Sequence, residues 1–278
     1  MRKLLSADFS RLWKEKALWI GSFCMLGLSL LVMVSGIRQS SRFPDDLDFS
    51  RLDAYYYSTA PYIGIVCSVI LSLFIGKDYS GGTIRNKLIA GHRRTNIYLA
   101  NLVVSVTVAG IVTLCWAVSG LIGIPYLGLW QKEPVWVAIY FLIIFLAAAA
   151  MAAILNLLAM TITNSTVAAI VQIVASLVLI LTGSIIYNRL CESETTVTSY
   201  IISMDGVVPG EEIANPNYVS GTARTVLTTI LNILPTGQMI LADESNISMP
   251  VFNLAASVGV ILGVTILGAW LFRKKDLK

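Results

Sequence analysis

The sequence is poor in charge and in the residues that metal or nucleophilic chemistry needs. Charged residues make up 13% of its 278 residues, whereas soluble domains carry about 25%. His92 is the only histidine and no Cys-x-x-Cys pair is present, so we expect no metal site and no disulfide framework. An intramembrane enzyme would need a buried histidine, a serine–histidine pair or paired aspartates, and the long apolar runs contain none of these.

A nucleotide-binding loop is also missing from the sequence. The pattern Gly-x4-Gly-Lys-Ser/Thr cradles the phosphates of ATP with its backbone amides, and the chain contains no such pattern. The glycine-rich stretch from Asp78 to Ile84 has no lysine and does not follow a strand pattern. We therefore expect that this chain hydrolyses no ATP by itself.

Long runs without charge are the dominant feature of what is present. A hydrocarbon core about 30 Å thick needs about 20 apolar residues in a helix. Two charge-free runs are long enough to need dividing, which Pro125 does in one and the polar stretch Thr161–Thr166 does in the other. The predicted spans are 17–37, 54–76, 96–123, 135–160, 165–188 and 250–272.

These runs predict helices rather than strands. In lipid every backbone amide must be bonded within the protein, so only helices or closed barrels cross a bilayer. The runs are too long and too continuous for the alternating strands of a barrel. The predicted fold class is an all-α polytopic membrane protein, with one transmembrane domain over residues 1–278.

The basic residues fall mainly on one side of this layout. Six spans leave both termini on the same side, where segments 1–16, 77–94 and 273–278 hold 14 of the 20 lysines and arginines and four acids. The other side holds six basic and 12 acidic residues. The positive-inside rule therefore predicts cytoplasmic termini. The net charge of +4 is an orientation signal and indicates no nucleic-acid partner.

The N-terminal segment 1–16 has the spacing of a short amphipathic helix. Leu5, Phe9 and Leu12 fall on one helical face, with charged residues opposite them. The pattern is typical of a helix in the membrane interface, although a simple flank anchored by Trp13 fits equally well. A signal peptide is less favoured because the 21-residue apolar run lacks a small-x-small cleavage site.

Residues 189–249 form the only sizeable segment outside the predicted spans, and we expect it to be extracellular. Its first half is acidic and polar, whereas Leu227, Ile230, Leu231 and Leu234 recur at helical spacing. We predict an amphipathic helix that lies on the membrane or dips into it and ends at Pro235. A seventh span is the alternative, but it would place the C-terminal basic cluster on the wrong side.

No charged residue lies deep in any predicted span. Carriers driven by ions or protons usually need ionisable groups at membrane depth, so the sequence favours an amphipathic or lipid-like cargo over a small hydrophilic ion. Asn156 and Gln172 are the polar side chains that we single out within the spans. They are candidates for hydrogen bonds between helices or for contacts along a substrate path.

The loop 77–94 is polar, basic and rich in glycine. Asp78 or Ser80 is suited to cap a helix, Gly81-Gly82 predicts a turn, and Thr83–Ile89 predicts a short helix. Ile84 and Leu88 lie one turn apart on one face, whereas Arg85, Asn86 and Lys87 point elsewhere. Such a helix suits docking into a groove of a soluble protein. An ordinary basic loop that touches lipid phosphates is the alternative.

The layout and this loop resemble the ABC-2 type permeases, the membrane subunits of type-2 ATP-binding-cassette exporters. The run Asp78-Tyr-Ser-Gly-Gly-Thr-Ile-Arg-Asn-Lys-Leu-Ile89, followed by Gly91 and Arg94–Tyr98, is similar to the family's inner loop. Asp78 stands where members often have glutamate, which keeps the charge. The ending Phe272–Leu277 is also similar. The resemblance covers the whole chain in layout but only this loop and the ending in motif.

The resemblance implies a mechanism and partners. Two permease chains, identical or different, would form the path in a bacterial cell membrane, and separate soluble ATPase subunits would bind ATP and Mg²⁺. With Asp78, a coupling helix would receive the motion of the ATPase, anchored by Ile84 and Leu88. Its residues would be Thr83, Ile84, Arg85, Asn86, Lys87 and Leu88.

The cargo is indicated only by the segment between the last two spans. Its size resembles that of the bacitracin and lantibiotic self-protection permeases, which expel membrane-acting peptides. Drug, lipid and sodium exporters are alternatives within the transporters. A membrane scaffold or sensor subunit without transport activity is the alternative from a different class, and it would need no coupling helix.

Overall fold

The computed structural model describes residues 1–42, 52–128, 132–197, 200–203, 206–209 and 212–275. Helices dominate these ranges and short strands are confined to one segment. In chain order the helices are α1 (Arg2–Lys14), α2 (Lys16–Arg42), α3 (Asp53–Tyr56), a 3-10 helix (Tyr57–Tyr62), α4 (Ile63–Ser80), α5 (Thr83–Ile89), α6 (Arg94–Leu127), α7 (Pro134–Thr161), α8 (Ser165–Cys191), α9 (Gly221–Ile233), α10 (Pro235–Asp243) and α11 (Pro250–Lys274).

Six helical segments in the described ranges are long and apolar enough to cross a membrane, which confirms the predicted all-α polytopic fold. They are α2, the 3-10 helix with α4, α6, α7, α8 and α11. The turn predicted between the fourth and fifth spans is also confirmed. Asn164 caps α8 there, because its Oδ1 accepts hydrogen bonds from the backbone N–H groups of Thr166 and Val167.

The third span is longer than predicted. We expected Pro125 to end it, but α6 continues to Leu127 and contains Pro125 in its last turns. The helix ends at Gly128 instead, whose φ of +76° lies in a region that favours glycine. A proline so close to a helix end removes one hydrogen bond without stopping the helix.

Helix α4 lies at the centre of the bundle. In its apolar stretch 72% of the residues are buried, compared with 11% in α11, which packs on one side only. Every residue of α7 from Ala147 to Ala153 is buried. All of them except Met151 are alanines, whose small side chains let the backbones of neighbouring helices approach closely in lipid. The core therefore runs through α4, α6 and α7, and the other spans surround them.

The N-terminus, the loop between α4 and α6, the α7–α8 turn and the end of α11 meet at one end of the bundle, which we call the basic end. Gly76 of α4 lies beside Ser165 of α8, where an added Cβ would be 3.0 Å from the Ser165 Cβ. Lys275 Nζ, just after α11, donates to Tyr79 Oη at 2.9 Å. Both α8 and α11 therefore have one end here, and Cys191 and Pro250 lie at the opposite end.

The segment between α8 and α11 starts with four short strands that the sequence pattern did not predict. Strand β1 (Thr195–Val197) pairs with β4 (Glu212–Ala214), and β2 (Tyr200–Ser203) pairs with β3 (Gly206–Pro209), both antiparallel. The two pairs share one continuous register, which runs from Thr195 opposite Ala214 to Ser203 opposite Gly206. Runs of three or four residues are too short to give a clear alternation in the sequence.

The predicted amphipathic helix of this segment is present as α9, but Pro235 does not end the helical structure. Pro235 occupies the first turn of a second helix, α10, where a proline is tolerated because its missing N–H has no partner to lose. The two helices bend by 98° at their junction. Thr236 Oγ1 donates to the Leu179 carbonyl oxygen, in the middle of α8, at 2.8 Å.

The α9–α10 pair is a re-entrant hairpin. Residues Pro235 to Ala242 of α10 are buried, and α10 packs against α7 and α8. The preceding span ends and the following span begins at the opposite end of the bundle, so the pair enters and leaves from that end. The structure thus favours a segment that dips into the bundle over a helix lying on its surface.

Candidate functional site

The loop between α4 and α6 is the candidate functional site. Helix α4 runs without a break to Ser80, and two glycines then turn the chain into α5. Gly82 has a φ of +65°, which a residue with a side chain adopts only at a cost. Neither predicted capping residue caps α5. Asp78 lies inside α4, and Ser80 Oγ donates to the Lys77 carbonyl oxygen at 3.5 Å.

Asp78 is fully buried and joins three elements through charge. Its Oδ1 accepts a hydrogen bond from the Arg11 guanidinium of α1, and its Oδ2 lies 3.6 Å from Lys87 Nζ of α5. The guanidinium also lies over the Phe74 ring, 4.4 Å from its centre. A carboxylate buried in this way is stable only if it is paired and hydrogen-bonded.

Lys87 connects α5 to α1. Its Nζ donates to Asp8 Oδ1 at 2.7 Å, and the side chains of Lys87 and Asp8 are only 11% and 2% exposed. The charged cluster, defined by Asp8, Arg11, Asp78 and Lys87, contains two acids and two bases. The sequence predicted only that Lys87 points away from the face of Ile84 and Leu88. The structure turns it inward, where its ammonium lies beside two buried carboxylates.

A second pair joins the same elements closer to the surface. Lys77 Nζ donates to Glu15 Oε1 at 2.6 Å, with side chains that are 62% and 13% exposed. Each of the three acids described at the basic end, Asp8, Glu15 and Asp78, is thus paired with a base of this chain. By contrast, several bases there face solvent: Arg2, Lys3, Lys14, Lys16, Arg85, Arg93, Arg273 and Lys274. The exposed surface at this end is therefore strongly positive.

The outward face of α5 differs from the face that the sequence predicted. Ile84 is 2% exposed, and Leu88 packs half-buried against the hydrophobic core, so neither side chain faces outward. Arg85 and Asn86 are exposed, and Ile89 is 74% exposed. Ile84 and Leu88 were expected to face a partner protein, and this orientation is wrong because both side chains pack against the chain's own core. The part of α5 in coupling stays a prediction.

The sequence carried a signal for Ile89 that we did not use. Arg85 and Ile89 are four residues apart, as Ile84 and Leu88 are, so both pairs mark a helical face. Periodicity cannot decide which of two such faces turns toward the chain's own core. The charged cluster decides it, because it pulls the Lys87 side of α5 against α1.

A cleft of about 310 Å³ lies beside α5. It runs between the junction of α4 and α5 and the α7–α8 turn. Its lining residues are Asp78, Tyr79, Ser80, Gly82, Ile84, Arg85 and Thr163. Exposed Arg85 belongs both to the cleft and to the outward face of α5, so the two adjoin. Thr83 lies beside them in the first turn of α5.

Comparison with protein-family models and with curated proteins finds no match for this chain. The similarity to the ABC-2 permeases therefore remains a resemblance in layout and in the loop motif.

Asn156 and Gln172 lie in the spans, away from this loop site. Asn156 is fully buried on α7, and its Oδ1 accepts a hydrogen bond from Ser105 Oγ of α6 at 3.4 Å. Gln172 is fully buried on α8, and its Nε2 donates to the Ala168 carbonyl oxygen one turn earlier at 3.2 Å. Asn156 therefore forms a hydrogen bond between two helices, which is one of the two roles predicted for it.

The described part of the chain contains no group of three or more histidine, cysteine, aspartate or glutamate side chains that could hold a metal ion. The four cysteines are free thiols. The chemistry that the described residues supply at the basic end is charge, hydrogen bonding and a few exposed apolar side chains, among them Ile89 on α5 and Trp13 on α1. Such a surface is suited to binding another protein.

Proposed function

We propose that this chain is the permease subunit of an ATP-driven exporter and that α5 couples it to a separate soluble ATPase. One observation carries the proposal. Helix α5 is fastened to the chain by buried charges on one face, while its other face presents Ile89 between exposed Arg85 and Asn86. A surface loop that served orientation alone would need no buried charge pairs, which are costly to bury.

The fastening gives α5 the mechanical property that coupling requires. A force on α5 acts through Lys87 on Asp8 of α1 and on Asp78 of α4. Because α4 is the most buried span, a shift of its end displaces the helices packed around it. Packed cores tend to switch between discrete arrangements rather than deform continuously, so a small movement of α5 is transmitted along the bundle.

The partner that fits the outward face of α5 is a soluble protein with an acidic groove and an apolar floor. Ile89 would enter the floor, and Arg85 and Arg93 would meet the acids, since charge complementarity steers and orients such contacts. That partner would bind ATP and Mg²⁺, because this sequence has no nucleotide-binding loop. The positive charge at the basic end supports a cytoplasmic position for this partner, with the chain itself in a bacterial cell membrane.

The spans support an amphipathic cargo of peptide or lipid type. Apart from Asp78 at the end of α4, the buried polar side chains described within them are neutral amides and hydroxyls, such as Asn156 and Gln172, and these are suited to hydrogen bonding rather than to ion transfer. A second permease chain would complete the path against the outward faces of the less buried spans. Antimicrobial peptides, drugs, lipids and sodium are the cargo classes to be compared in transport assays.

Affinity purification from the native membrane tests the proposal. In mild detergent we expect a soluble ATPase to accompany the chain in stoichiometric amount, and we expect the complex to hydrolyse ATP faster than the ATPase alone. Ile89→Asp should abolish both effects because it places a charge in the apolar contact. Ala7→Asp, which adds the same charge on an exposed site of α1, should leave both unchanged.

The opposite result is equally clear. If no ATPase accompanies the wild-type chain and added ATP changes nothing, the chain is not a permease subunit, and a scaffold or sensor role replaces it. If an ATPase binds but Ile89→Asp and Ala7→Asp behave alike, the partner docks elsewhere than on α5.

A further inference from the structure

The residue that follows α11, Lys275, binds the basic end through its side chain, and we call this end of the described chain the tail. After α11 ends at Lys274, the extended backbone of Lys275 turns its side chain into the bundle. Its Nζ donates to Tyr79 Oη at 2.9 Å and to the Met160 carbonyl oxygen at 3.0 Å. The same ammonium lies 4.3 Å from the centre of the Tyr79 ring. We call Tyr79, the Met160 carbonyl and Arg94 the tail seat.

Two parts of the tail seat, Tyr79 and the Met160 carbonyl, have the chemistry of a cation site. Met160 is the next-to-last residue of α7, so its carbonyl belongs to the last turn, whose oxygens have no partner within the helix. The negative end of the helix dipole favours a cation at this point, and the aromatic face of Tyr79 adds to that attraction. Tyr79 Oη also donates to the Met160 carbonyl oxygen at 2.6 Å, which fixes the ring.

The backbone of the tail is held independently of its lysine side chain. The Arg94 guanidinium, at the start of α6, donates to the Arg273 carbonyl oxygen at 3.1 Å and also to the Lys275 carbonyl oxygen. Burial lowers the pKa of Lys275 to about 8, which indicates that the ammonium leaves water in part when it enters the seat. The tail thus ties the end of α11 to α4, α6 and α7.

The position of the seat connects it to the loop site. Tyr79 follows Asp78 directly in the chain and lines the cleft beside α5. The charged cluster holds Asp78 and the seat holds Tyr79, which are successive residues of α4. Only two residues separate Tyr79 from the turn at Gly82. Helix α11 is the least buried of the spans, so the tail adds contacts to a span that has few of them.

We propose that Lys275 is a positioning residue that fixes the junction of α4 and α5, so that the last span and the loop helix move as one unit. The seat itself follows from the contacts of this chain. Its consequence for coupling rests on the proposed function. Release of the tail would leave α5 attached to α1 but would loosen the end of α4 on which α5 turns.

Hydrogen–deuterium exchange of the full chain in lipid nanodiscs tests the seat without any partner. The reporter amides are Gly81 N–H, bonded to the Lys77 carbonyl at 2.9 Å, and Gly82 N–H, bonded to the Tyr79 carbonyl at 3.2 Å. Lys275→Met should raise their exchange rate at least about tenfold, as expected when a charge-assisted hydrogen bond is lost. Lys275→Arg, which keeps the charge and the donors, should restore most of the protection.

Lys274→Met is the matched control. It removes the same charge from the neighbouring residue, whose Nζ lies 3.8 Å from the centre of the Trp270 ring on exposed α11. It should leave the exchange of Gly81 and Gly82 unchanged. If Lys275→Met has no more effect than Lys274→Met, or if Lys275→Arg fails to restore protection, Lys275 does not position the junction.

A second measurement separates this inference from the proposed function. In a complex with its ATPase, Lys275→Met should lower the ATP hydrolysis that the chain stimulates while leaving the ATPase bound. If exchange responds as expected but no ATPase is ever found, the seat stands and the permease assignment fails. If the ATPase binds and Lys275→Met changes neither exchange nor stimulation, the permease assignment stands and the seat is refuted.

Discussion

The two lysine–carboxylate pairs at the basic end allow the effect of burial on ion-pair strength to be measured within one protein. Lys87 with Asp8 and Lys77 with Glu15 have nearly equal N–O distances, 2.7 and 2.6 Å. They differ in exposure, since the Lys87 and Asp8 side chains are 11% and 2% exposed and those of Lys77 and Glu15 are 62% and 13%. If distance governed their strength, the two pairs would be equivalent.

Burial predicts a large difference between them. Removing one partner of a buried pair costs about 3–5 kcal/mol because it leaves a charge without compensation. Lys87→Met should therefore lower the free energy of unfolding by about 3 kcal/mol, since buried Asp8 then loses the lysine it is paired with, and Asp78 keeps only Arg11. Exposed pairs contribute about 0.2–1 kcal/mol, so Lys77→Met should cost less than about 1 kcal/mol.

The double variants provide the more specific test. Asp8→Asn with Lys87→Met restores neutrality, because Arg11 then compensates Asp78 alone. This double variant should be more stable than Lys87→Met by about 2 kcal/mol, because no buried carboxylate is left without its partner. Glu15→Gln with Lys77→Met should show a coupling energy below about 0.5 kcal/mol, as for distant or exposed sites.

Reversible unfolding in mixed lipid–detergent micelles gives the four free energies of each double-mutant cycle. Amide exchange in α5 would show whether the losses arise at this end of the bundle. The reasoning is refuted if the Lys77–Glu15 cycle gives a coupling energy equal to or larger than the Lys87–Asp8 cycle. It is also refuted if the neutral double variant is no more stable than Lys87→Met.

Two further changes test the packing of the spans and the turn between two of them. Gly268→Ala should destabilise the bundle by about 1–3 kcal/mol, because the new Cβ would overlap the hydroxyl and ring of buried Tyr98. Gly263→Ala on the same helix meets no atom within 4 Å, and thermal unfolding should show no loss for it. Asn164→Ala should cost about 1 kcal/mol because the cap on Thr166 N–H, 3.0 Å from Asn164 Oδ1, is lost. Asn164→Asp keeps an accepting oxygen and should retain most of that stability, and equal losses for both variants would contradict the capping role.

Hydropathy predicted the spans because the bilayer acts on each helix separately. A run such as 135–160 is apolar along its whole length, and no contact with the rest of the chain is needed to recognise it. The Asn164 turn was predicted for a similar reason, since capping depends on neighbouring residues. These parts of the fold are local properties of the sequence.

The arrangement of the loop site could not be predicted because it depends on distant contacts. Lys87 is 79 residues from Asp8, and Arg11 is 67 residues from Asp78. An isolated sequence shows four charges near predicted membrane edges, but it does not show that they meet. Once they meet, Lys87 turns inward and Ile89 turns outward, which reverses the faces that spacing had suggested for α5.

Prolines gave a different kind of error. Pro125 was expected to end α6, and Pro235 was expected to end the helical part of its segment. A proline interrupts a helix only where its N–H would have been bonded and its ring would meet the preceding turn. Pro235 lies in the first turn of α10, where neither condition applies, and Pro125 lies so near the end of α6 that the loss is small.

Because of the re-entrant hairpin, the helices are held together differently in the two halves of the bundle. At the basic end, the tail seat holds spans directly to one another, and ion pairs fasten α1 and α5 to the end of α4. Toward the opposite end, α10 fills space between α7 and α8 as an insert attached from one side of the membrane only. The cross-section of that half can therefore change by moving one short segment while all six spans keep their tilt.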